Sequence, residues 1–101
     1  MSKVADYRRF LQEYRITAAD YAVLKWCKTR QNDSFRYFTD RMFNSSTEKF
    51  AVYRSKVTIS EEDKGEIDSN ALTRVSLLWP EDGVGMGDEC ERVIKSILAL
   101  N

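Results

Sequence analysis

Apolar residues recur at two different periods along this chain, and the change of period divides it. Val4, Tyr7, Leu11 and Tyr14 fall at i, i+3, i+7 and i+10, and Phe10 widens the stripe. That spacing predicts an amphipathic helix from about Lys3 to Tyr14. A second helix is expected to begin at Thr17. Thr17 suits an N-cap, Asp20 three residues later completes a capping box, and Ile16 with Tyr21 could staple the entry. Ala19, Ala22, Val23, Trp26 and Cys27 then share one broad face, and Tyr21, Lys25 and Lys28 share another at i, i+4 and i+7. Turn residues at Gln31-Asn32-Asp33-Ser34 predict a stop near Arg30.

Residues 35–43 fit two templates. Phe35, Phe38 and Met42 suit a helix, with Arg36 and Asp40 as an i,i+4 pair. The stretch from Ser34 to Thr39 is also rich in strand formers, and helix is the preferred reading. Asn44-Ser45-Ser46-Thr47 predicts a loop. From Lys49 to Ile59 the period shortens to two. Ala51, Tyr53, Val57 and Ile59 lie on one face, and Arg54, Lys56 and Thr58 on the other. Such alternation predicts a half-buried strand. A polar stretch from Ser60 to Asn70 follows, and Ala71 to Trp79 reads as a second strand ended by Pro80. The two strands are expected to form an antiparallel hairpin with a long acidic tip. Asp88 and Glu91 suit the N-cap and N3 positions of a last helix reaching about Leu100, whose apolar face is Cys90, Val93, Ile94, Ile97 and Leu98. The expected fold class is α+β. Three N-terminal helices, an antiparallel β-hairpin and a C-terminal helix would form one domain over residues 1–101.

Charge and aromatic content sharpen this division. Eleven of the twelve aromatic residues precede residue 59. Residues 1–58 carry 12 Lys and Arg against 6 Asp and Glu, a net of +6, whereas residues 59–101 carry 4 against 10, a net of −6. A formal net charge of zero therefore hides a polarised chain suited to steering a partner electrostatically. The 43% apolar and 32% charged fractions are those of an ordinary globular protein rather than a disordered one. The N-terminus has no apolar run behind its charges, and no run approaches a bilayer span, so a cytoplasmic setting and no membrane are expected. In that setting Cys27 and Cys90 read first as small core residues. One disulfide between the halves, or a reactive thiol, remains an alternative.

Histidine is absent, which removes the commonest general base and the commonest metal ligand. Nucleophile arrangements that need Ser-His or Cys-His are impossible, and two distant cysteines make no zinc site. No catalytic residue, cofactor or metal is assigned. Gly83-Val84-Gly85-Met86-Gly87 is glycine-rich ahead of a helix, but Asp88 and Glu89 would repel a phosphate there, so it reads as a connecting loop. The five carboxylates between Glu61 and Asp68 lack calcium-loop spacing and read as a solvated tip or an acidic docking element. Nothing marks two carboxylates as an opposed hydrolytic pair. A helix-turn-helix over 18–43 would have a bulky second helix carrying an acid, poorly suited to reading base edges.

Two function classes remain. The first is a non-enzymatic protein-binding module, a small regulator, inhibitor or immunity-type protein that acts by covering a partner's surface. Tyr, Trp and Arg, which dominate interfaces, are plentiful. The expected contact row is Tyr21, Lys25 and Lys28, extended by Arg8 and Arg15, and it would face an acidic protein surface. Self-association of the opposite charge poles is a further option. The alternative is a nucleic-acid-binding regulator using the basic, aromatic-rich N-terminal half, against which overall neutrality counts.

Overall fold

The structure, a computed structural model, describes residues 3–29, 39–78 and 87–100. Helix α1 spans Lys3–Thr29, α2 Asp40–Lys56, α3 Glu61–Leu78 and α4 Gly87–Leu98. These helices hold 91% of the described residues, among which there is no strand. The protein is all-α, and the expected α+β class with its hairpin is wrong. None of these helices is long and apolar enough to cross a membrane.

α1 is the central element. It packs against all three other helices, most extensively α3. Its buried residues accordingly point in several directions. Tyr14, Ala18 and Ala22 turn toward α3, and Cys27 meets α4. A helix with apolar residues on most sides belongs inside a fold. The expected break at residues 15–17 does not occur. Thr17 is mid-helix, and its hydroxyl donates back to the Glu13 carbonyl at 3.3 Å instead of capping a new helix.

α2 begins at a true cap. Thr39 is extended, at φ −101° and ψ 159°, and its side chain accepts from the Met42 amide. The expected loop at 44–47 and residues 49–56 of the expected first strand lie inside this helix, and residues 57–59 follow it without forming a strand. Phe43, Ser46, Phe50, Tyr53 and Val57 form its inner stripe at i, i+3, i+7, i+10 and i+14. That helical period overrides the alternation on which the strand rested. Ser46 is fully buried and satisfied, its hydroxyl donating to the Met42 carbonyl at 2.8 Å.

The expected acidic tip is instead the start of α3. Ser60 accepts from the Asp63 amide at 3.1 Å, and Glu61, Glu62 and Asp63 fill the first turn, where the helix dipole favours carboxylates. Residues 71–78, expected as the second strand, continue the same helix; Lys64, Ile67 and Val75 are its buried positions. The last helix is where the sequence put it, within a residue or two. Cys90, Val93, Ile94 and Ile97 are all buried, and α4 is the most cleanly two-faced of the four helices. The third helix expected over 35–43 is partly outside the described residues; of it, Asp40–Phe43 belong to α2.

α1 and α3 run parallel. Tyr7 donates to Asp63 and pairs with Ser60, and Tyr14 donates to Asp68 at 2.6 Å, so residue i of α1 lies beside residue i+53 to i+56 of α3. α2 runs antiparallel to α1, since Thr17 meets Tyr53, Tyr21 meets Thr47 and Lys28 meets Asp40. The Cys27–Cys90 disulfide joins α1 to α4 across a Cα–Cα distance of 5.9 Å. The cysteines are therefore bonded, contrary to the first expectation of reduced core thiols. Both still sit in the core, at 0% and 2% exposure.

Candidate functional site

Two polar networks fix the helices around α1. Arg54 of α2 donates through Nε to Asp68 at 3.0 Å and through Nη1 to Glu61 at 3.1 Å, while Asp68 also accepts from the fully buried Tyr14 hydroxyl. Burial first, and then the Asp68 carboxylate beside it, push the Tyr14 hydroxyl well above its ordinary pKa. Lys64 is 3% exposed yet carries its ammonium to Glu61 at 3.2 Å, so its stem packs while its head is paired. On the other side, Arg92 of α4 meets Asp20 of α1 at 3.3 Å and also pairs with Glu89. Desolvation raises the Asp20 pKa, and Arg92 only partly offsets it. Every buried side-chain polar atom among the described residues has a partner. These groups consolidate the bundle.

The expected contact row divides. Tyr21, Lys25 and Lys28 do lie together on α1, but Tyr21 and Lys28 are half-buried against α2, while Lys25 is exposed. Tyr21 is half-buried, stacked on Phe50 at 4.1 Å between centroids and 14° between planes. Lys25 lies over the Tyr21 ring at 5.3 Å, and both line a crevice of about 60 Å³ with Leu72 and Phe50. Lys28 pairs with Asp40 and lies over the Phe43 ring at 5.6 Å. Arg8 and Arg15 sit elsewhere. Seven residues apart, they are exposed on the side of α1 away from α2, and neither has an ion-pair partner among the described residues.

That side of α1 borders a groove shared with α3, about 530 Å³ in volume. Its α1 wall is Leu11, Arg15, Ala19 and Val23. On α3 the floor is Ile67, Ala71, Val75 and Leu78, and the rim is Asp63, Glu66, Asn70 and Arg74. Arg74 has no ion-pair partner among the described residues, and Glu66 is likewise exposed and unpaired. The groove runs out at Leu77 and Leu78, which are 78% and 72% exposed. Among the described residues no neighbouring helix closes it, because α3 and α4 flank α1 without packing extensively against each other. The sequence reading missed the α3 wall because it assigned those residues to a hairpin. The signal was present in Ile67, Ala71, Val75 and Leu78, at i, i+4, i+8 and i+11.

Among the described residues no three His, Cys, Asp or Glu side chains are grouped to hold a metal ion. The glycine-rich run before Gly87, the turn at 31–34, and Trp79 and Pro80 lie outside the described residues. No protein family matches the chain, and neither a curated protein nor a solved structure shows a significant likeness to it.

Proposed function

We propose that this chain is a non-enzymatic protein-binding module, a small regulator, inhibitor or immunity-type protein that acts by covering a partner's surface. The observation that carries the reading is the open α1/α3 groove. It combines an apolar floor, arginines without ion-pair partners at its rim and two consecutive exposed leucines at its end. Contiguous apolar surface rimmed by polar groups is costly to leave in water and marks interaction sites. Arg is a favoured anchor at such sites. Absence of histidine supports a non-enzymatic role, since binding needs no proton shuttle.

The contact surface in this reading is Arg15 at the groove with Arg8 two turns before it on α1, and Tyr21, Lys25 and Lys28 on the separate flank of α1 that borders α2. A nucleic-acid partner fits less well. The same groove is bordered by Asp63 and Glu66, which would repel a phosphate backbone. The expected cytoplasmic setting must be weighed against the Cys27–Cys90 bond, because disulfides persist chiefly in oxidising compartments.

The test is affinity capture from native extract, with and without nuclease, using the parent chain and R8E/R15E. Retention of a protein by the parent and its loss with R8E/R15E supports the reading. Retention that vanishes on nuclease treatment, or that survives the double reversal, contradicts it.

A further inference from the structure

The charge of the α1/α3 face is self-complementary, and its geometry fixes how. Arg15 stands on the α1 wall of the groove and Glu66 on its α3 rim, both exposed and of opposite charge; Arg8 lies two turns before Arg15 on α1. Among the described residues neither Arg15 nor Glu66 has an ion-pair partner within the chain. The α1/α3 register of 53 to 56 residues, read from Tyr7 and Tyr14, sets Arg8 level with Glu62 and Arg15 level with Asp68 to Ala71. Glu66 then lies about one turn below Arg15, on the side toward which a helical side chain leans. An extended arginine spans that offset. A twofold axis parallel to the groove lays α1 of one copy against α3 of another and preserves level along the helices. It therefore brings Arg15 of each copy within reach of Glu66 of the other. The same rotation sets Leu77 and Leu78 of each copy near Val23 of the other, covering the exposed leucines.

We infer that the α1/α3 face closes against a second copy of this chain in an isologous, parallel dimer held by reciprocal Arg15–Glu66 pairs. The inference rests on reading this face as a protein interface and names its partner. A C2 interface is the commonest closed assembly and demands such reciprocity. α3 is 18 residues long. At 1.5 Å per residue, two helices side by side present a face of about 500 Å² per copy. The total of about 1,000 Å² is near the lower limit for a specific interface, so the dimer is weak and reversible.

Sedimentation equilibrium on the oxidised chain, from about one micromolar to several hundred micromolar, tests this in the range where so small an interface dissociates. The parent should show a monomer–dimer equilibrium that weakens in high salt, as exposed ion pairs do. R15E and E66R, each confirmed as folded by circular dichroism, turn two reciprocal attractions into repulsions and should each raise the dissociation constant about tenfold. Mixing R15E with E66R places opposite charges at both contacts again, one pair in the parental sense and the other with its signs exchanged. The mixture should therefore dimerise as well as the parent. A parent that stays monomeric throughout overturns the inference, as does a mixture no tighter than its components. If the parent is monomeric yet R8E/R15E still abolishes capture of a different protein, self-association fails and the protein-binding reading stands.

Discussion

Replacing Cys27 and Cys90 together by alanine should lower stability by about 4 kcal/mol. The bond closes a loop of 63 residues between α1 and α4. In the chain-entropy account, a loop of that length removes about 14 cal/mol/K from the unfolded ensemble, or about 4 kcal/mol at 25 °C. Small domains have only about 5–15 kcal/mol in total, so this is a large share. The melting temperature should fall by about 15–30 °C, since a domain this size loses about 4–8 °C per kcal/mol. Urea unfolding of the oxidised parent, the parent with dithiothreitol, and C27A/C90A gives three midpoints. The reduced parent and the double variant should lie close together and well below the oxidised parent. Two thiols titrating in the denatured, unreduced parent would refute the bond itself. A double variant as stable as the parent would refute its role in holding α4 to α1.

Trp26 is 7% exposed, and Trp26→Ala should cost about 3–5 kcal/mol by urea unfolding; an unaffected variant would mean the ring is not core. Tyr14→Phe removes the hydroxyl that Asp68 accepts, at about 1–2 kcal/mol, and a neutral result would show that Arg54 alone satisfies that carboxylate. Tyr21→Ala should now cost about 2 kcal/mol, because the ring is stacked on Phe50 rather than free; a change within about ±0.5 kcal/mol would return it to the surface. Asp20 is held above its ordinary pKa of 3.8, chiefly by burial, so it favours the fold below that value and loses that contribution as pH rises through its folded pKa. Asp20→Asn should therefore flatten the pH dependence of the urea midpoint in that window and be more stable than the parent at pH 7. A less stable variant at pH 7 would mean the Arg92 pair outweighs burial.

What could be read from the sequence depended on how much of each helix was one-sided. α4 was legible nearly to the residue, because Cys90, Val93, Ile94 and Ile97 form one stripe with nothing apolar opposite. α1 was recognised as helical but cut in two. A central helix buries residues on several sides, so its stripe shifts along its length, and Thr17 then resembles a cap. α2 and α3 were misread for a different reason. Tyr53, Val57 and Ile59 satisfy a period of two over a short window, while Phe43, Phe50 and Tyr53 reveal the longer period only over three turns. The Ser60 and Asp63 pair was itself a helix-start signal, obscured by the surrounding carboxylates. The candidate site followed the same pattern. Arg8 and Arg15 are exposed, but away from the Tyr21 row they are expected to extend, and the setting of Arg15 is hidden in the sequence because the other wall of the groove lies on α3. The partition of charge between the two halves is plain in the sequence, but parallel packing of α1 on α3 sets Arg15 and Glu66 on opposite sides of one groove instead of at two poles.

A photo-crosslinking residue at position 78, at the exposed end of the groove, tests the claim that the α1/α3 face is a protein interface. A control at Ser96, exposed on α4, sets the background. Irradiation should give position 78 discrete adducts that survive nuclease, are destroyed by protease and are lost with R15E, with none from position 96. No adduct at position 78, or one that nuclease removes, would contradict the account.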